Sequence, residues 1–101
     1  MKMEISGQGN GFEVVSVGDS EAVGLTATLV QPTNEPPCRA VFVTVRTQSI
    51  SFRIDGEDAA ADSGHIVAAN ENILIHGLQN LLNLKMIATT GTASVSVTYL
   101  R

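Results

Sequence analysis

The sequence predicts an all-β fold, a small β-sandwich or jelly-roll-like domain, and three observations predict it. Apolar and polar residues alternate in short runs, at Val41, Val43 and Val45 and again at Ala93, Val95, Val97 and Tyr99. Turn residues separate such runs at spacings of roughly 8–12 residues, the rhythm of sandwiches and barrels. No strand is followed by a long amphipathic helix, which disfavours a parallel α/β sheet. Counting the runs gives about eight short strands and one short helical turn. The length of 101 residues makes a single domain spanning 1–101.

In chain order, residues 1–6 read as a short edge strand and the glycines of residues 7–11 (GQGNG) as a flexible turn. That turn lacks the Lys-Ser/Thr of a phosphate loop and the strand-to-helix pattern around it. Residues 12–17 (FEVVSV) form a strand, and Gly18 to Glu21 turn the chain. Residues 23–30 (VGLTATLV) read as a second strand, with Leu25, Ala27 and Leu29 on one face. Three prolines and an Asn make residues 31–39 a loop. Residues 40–46 (AVFVTVR) are the clearest strand. Phe42 gives its second face apolar character, so this strand is central or its outer face meets a partner.

Thr47-Gln48 is short enough for a hairpin turn into a strand at residues 49–54. Asp55-Gly56 ends that strand with a residue pair suited to positive φ. An acidic, alanine-rich loop leads to a strand at residues 65–69, a turn at Ala69 to Glu71, and a strand at residues 72–76. Residues 77–83 (GLQNLLN) are the one helix-like piece, with Leu78, Leu81 and Leu82 at i, i+3 and i+4. Such a segment is too short to be stable alone and must pack on the sheet. Strands at residues 84–88 and 93–100 flank a Thr-Thr-Gly-Thr turn.

Composition narrows function mainly by exclusion. Charged residues make up 16% of the chain, which is low and suits a surface covered by partners. The net charge is −4 and the six cationic residues are scattered, so no basic stripe for nucleic acid exists. There is no Trp and one Tyr, too few aromatics for a base- or sugar-stacking platform. Cys38 is the only cysteine, so no intrachain disulfide can form. No stretch has signal-peptide or membrane-span character, and the expectation is folding in the cytoplasm without a membrane partner.

Candidate chemistry is sparse. Asp55, Glu57, Asp58 and Asp62 crowd one loop, but their spacing does not match a calcium loop, so a solvated acidic loop is expected, and the simplest function for it is to face a basic partner surface. His65, His76 and Cys38 are too few for a structural zinc site. Ser63 and His65 lie two apart without a recognisable orienting group or oxyanion hole. The expectation is no catalytic residue, no cofactor and no metal. Arg53, on the side of its strand that carries Ser49 and Ser51, is placed to pair with the loop carboxylates or to bond a neighbouring subunit.

The ordered set of motifs in residues 40–101 resembles a group of small tailed-phage and prophage virion proteins. The pieces are a strand closing in Arg53-Ile54-Asp55-Gly56, a loop of small residues, and Gly64-His65-Ile66-Val67. Residues 72–76, the Leu-containing turn 78–84, and Thr90-Gly91-Thr92-Ala93 leading into the last strand complete it. The first forty residues match only in being β-rich. The resemblance implies a non-enzymatic virion structural protein, made in the host cytoplasm and located in the virion. Capsid decoration (cement) is the favoured role, with a head-tail connector or tail component next. It also implies a homo-oligomer whose partners are the major capsid protein or neck and tail proteins. A ligand- or carbohydrate-binding sandwich module is the rival from another class. The expected interface residues are Arg53, Asp55, Gly56, Glu57, Asp58 and Asp62 of the acidic loop, Pro36 and Pro37 of the proline loop, and Phe42.

Overall fold

Two antiparallel sheets face each other, and the alternation of β-branched residues decides which side of each strand meets the other sheet. The computed structural model describes residues 9–33, 35–60 and 63–101. Its strands are β1 (Gly9–Val17), β2 (Ala40–Arg46), β3 (Ile50–Arg53), β4 (His65–Val67), β5 (Asn72–His76), β6 (Lys85–Ala88) and β7 (Ala93–Leu100). Two short helices accompany them, α1 (Ala27–Val30) and α2 (Leu78–Asn83). One sheet has the order β1-β7-β2-β5 and the other β4-β3-β6. The described residues therefore hold seven strands in a sandwich. The expected edge strand at residues 1–6 and the start of the glycine turn lie outside the described residues.

The larger sheet supplies most of the core. Val95, Val97 and Tyr99 of β7 and Val41, Val43 and Val45 of β2 are fully buried, each set spaced by two. The opposing sheet answers with Ile50, Val67, Met86 and Ala88. Helix α2 caps one open end, and its Leu81 is buried while Leu82 is exposed. Six residues cannot hold a helix alone, so the anchoring comes from Leu81, whose burial stabilises by about 1.5–3 kcal/mol.

Four places differ from the sequence expectations. Gly9 to Gly11 are not a free turn: they open β1, with a register irregularity against β7 at that point. Residues 23–30 are not a strand. Val23 makes a single bridge to Met86, and the chain then coils into α1. A Cβ at Gly24 would lie 2.9 Å from the Leu84 carbonyl oxygen, so chain and sheet approach closely there. Leu25 and Leu29 both pack on the core, and their spacing of four fits a helical turn as well as it fits alternation.

The third difference is Thr47-Gln48, which does not make a hairpin, because β2 and β3 belong to different sheets. Both edges of β2 are already taken by β5 and β7, so the chain must cross to the other layer. Thr47 turns that corner at φ 70°, and its hydroxyl lies 3.2 Å from the Thr92 carbonyl and 3.3 Å from the Ser94 amide. The fourth is Leu82, which the i, i+3, i+4 pattern placed with Leu78 and Leu81 and which faces solvent.

Strand directions put the remaining loops together. Three of the four crossings between sheets, at 47–49, 68–71 and 89–92, lie at one end, and the fourth, from β5 to β6, runs through α2 at the other. The acidic loop after β3, the proline loop before β2, α1 and α2 all gather at the other end.

Candidate functional site

The acidic loop is folded back on its own strand. The buried Ser51 hydroxyl donates to the Ser63 carbonyl at 3.0 Å. Ala60 and Ser63 exchange backbone hydrogen bonds of 3.1 Å within the loop. Gly64, at φ 133°, lets the chain pass over β3: a Cβ there would stand 2.5 Å from Ser51 Oγ and 2.9 Å from the Phe52 carbonyl. Only glycine meets both demands. Ala59 is buried beneath the loop, and Asp62 lies outside the described residues.

At the loop entrance Arg53 and Asp55 form a two-point ion pair, Nε to Oδ1 at 3.1 Å and a second contact from the guanidinium NH2 nitrogen to Oδ2. The Glu57 amide donates to Asp55 Oδ1 at 3.3 Å, and Gly56 sits at φ 88° between them. The hydrogen bond from Arg53 holds the Asp55 carboxyl below its ordinary range. Arg53 is thus committed within its own loop, and Glu57 and Asp58 stay exposed. In the proline loop Pro36 and Pro37 are exposed, and Glu35 pairs with Arg101 at 2.8 Å. Cys38 is buried, and its thiol donates to the Leu29 carbonyl at 3.2 Å. Burial pushes that thiol up, against the lowering influence of Arg101.

Phe42 occupies a different surface. On the outer face of the larger sheet, cross-strand register places Phe12, Thr98, Phe42 and Leu74 in one row. Val14, Ser96, Thr44 and Asn72 form the next row. None of these eight residues is ionisable, and Phe12 and Val14 are 62% and 58% exposed. Phe12 and Val14 escape a sequence reading because residues 12–17 are apolar on both sides. Val15 and Val17 of that run face inward.

An apolar hollow of about 320 Å³ opens beside β5, lined by Phe52, Ile54, Ile73 and Ile75, with His76 and Asn80 also in its wall. His65 leans on Phe52 with ring centroids 5.4 Å apart. Among the described residues no three His, Cys, Asp or Glu side chains gather as a metal site would need. No helix of the described residues is long and apolar enough to cross a membrane.

The chain matches no protein-family model, no curated protein and no solved structure.

Proposed function

We propose that this chain is a non-enzymatic structural protein of a tailed-phage virion, a capsid decoration protein that docks in many copies on the major capsid protein. The observation that carries this reading is the pair of charge-free rows on the outer face of the four-stranded sheet, Phe12, Thr98, Phe42 and Leu74 beside Val14, Ser96, Thr44 and Asn72, with Phe12 and Val14 exposed. A monomer seldom leaves such a surface uncovered, and rows of apolar and hydroxyl side chains on a rigid sheet suit a repeated flat contact. The ordered motifs of residues 40–101 point to the same protein class. Many identical weak contacts would sum to firm attachment.

The acidic loop adds a second docking element. Its Glu57 and Asp58 would meet a basic patch on the partner, which favours encounter and orientation more than tightness. The test is mass spectrometry of purified particles from a host that carries the gene. The chain is expected among the virion proteins, in amounts comparable with the capsid subunit. Its absence from intact particles would refute the reading.

A second reading, a ligand-binding module, has one observation in its favour, the hollow between Phe52 and Ile75. Its apolar lining would take a small hydrophobic molecule and not a sugar.

A further inference from the structure

The exposed edge of β1 carries an inference that does not depend on the virion reading, since a ligand-binding module would keep the same edge. β1 is the longest strand, nine residues, and lies at the rim of its sheet. Among the described residues, no loop backbone hydrogen-bonds to its outer side. Other rims are shorter or partly closed. β4 has three residues and β5 five, and Val23 takes part of the outer side of β6 through bonds of 2.8 and 2.7 Å with Met86.

Proteins ordinarily protect such an edge with Lys, Pro, an inward charge or a bulge. β1 contains no Lys, Arg or Pro. Its one irregularity lies between Gly9 and Gly11, at the strand's start. Its one charge, Glu13, turns inward, where the Tyr99 hydroxyl donates to one carboxylate oxygen and the Thr26 hydroxyl to the other at 2.8 Å. The regular stretch from Gly11 to Val17, about 24 Å long, is therefore a clean template.

We infer that this edge pairs with the same edge of a second copy, joining two larger sheets into one continuous eight-stranded sheet about a two-fold axis. A second copy meets no charge penalty at this edge: each chain carries −4, but the one carboxylate of β1, Glu13, is engaged by Tyr99 and Thr26. An antiparallel edge is also self-complementary by geometry, as a two-fold contact requires. Placing the axis beside Val14 sets Val14 opposite its own copy and Glu13 opposite Val15, which keeps the two Glu13 apart. It also brings Phe12 diagonal to the second copy's Val14, within reach of an aromatic side chain. The exposed apolar rows of the two molecules then run together across the seam.

The experiment is a cysteine crosslink on the full chain. In Val14→Cys the two new thiols would lie across the seam at a Cα separation of about 4.5–5.5 Å, inside the range a disulfide spans. Mild oxidation with diamide should yield a covalent dimer on a non-reducing gel. Ile66→Cys, on an equally exposed residue of the smaller sheet, should not. In parallel, light scattering should give a dimer for the wild type and a monomer for Val14→Lys at unchanged far-ultraviolet circular dichroism. A wild-type monomer at high micromolar concentration overturns the proposal. So does a dimer that survives Val14→Lys, or a dimer in which Val14→Cys fails to crosslink. If the Lys variant does not fold, hydrogen exchange on the wild type decides. Protection of alternate β1 amides that grows with concentration supports the pairing, and its absence refutes it.

Discussion

The Tyr99 hydroxyl donates to the Glu13 carboxylate across the β1–β7 pair, tying the rim strand to the centre of the larger sheet. Tyr99 is fully buried, and Glu13 also accepts from the Thr26 hydroxyl, so one carboxylate links β1, β7 and the turn that leads into α1. A buried phenol needs a partner, and removing it leaves a carboxylate with one donor fewer. Tyr99→Phe should cost about 1.5–3 kcal/mol in urea unfolding, the worth of a hydrogen bond to a charged group. A change below a few tenths of a kcal/mol would mean that solvent replaces the phenol freely.

The same contact sets an alkaline limit. Burial first, and then the hydrogen bond to Glu13, push the Tyr99 hydroxyl far above its ordinary value. The folded chain therefore holds this proton where the unfolded chain releases it. Stability is intact below the unfolded value of about 10 and falls as pH rises above it. Melting temperatures measured from pH 8 to 12 should drop beyond pH 10 for the wild type. The drop should be shallower for Tyr99→Phe.

Gly64 is the tightest point of the acidic loop. Gly64→Ala should destabilise by about 2–3 kcal/mol, from positive φ and from the clash with Ser51 Oγ and the Phe52 carbonyl. Adding Ser51→Ala should recover only part of that loss, because the backbone contact remains and the bond to Ser63 is gone. Denaturant curves of the two variants check this.

Cys38 should behave as an inert core thiol. It is buried, its proton is engaged by Leu29, and burial raises it above the ordinary thiol range. Labelling by a disulfide reagent at pH 8 should be slow and should accelerate only as urea unfolds the chain. Rapid native labelling would mean that the proline loop opens readily.

Much of the fold was legible because β7 and β2 alternate without interruption. Burial at every second residue follows from the period of the extended chain. Where the period is ambiguous the reading fails. Leu25 and Leu29 satisfy both a strand and a helical turn, and only the close approach of Gly24 to Leu84 shows how the chain runs there. The corner at Thr47 looks like a hairpin turn in sequence, because nothing local records that both edges of β2 are occupied. The acidic loop was recognisable by composition, but the commitment of Arg53 to Asp55 depends on how the turn at Gly56 folds back. Phe12 and Val14 needed the sheet order and register, which set them on the outer face of a rim strand.

The central claim concerns attachment to a capsid, and its most direct measurement is a saturation curve. Purified chain would be titrated onto empty tailed-phage capsids from the host that carries the gene, with bound protein counted after sedimentation. Decoration predicts saturation at a copy number proportional to the capsid subunits, and a marked loss of binding in Phe42→Asp at unchanged folding. Saturation at a handful of copies per particle would place the chain at the neck or tail. No binding at any concentration would contradict the account.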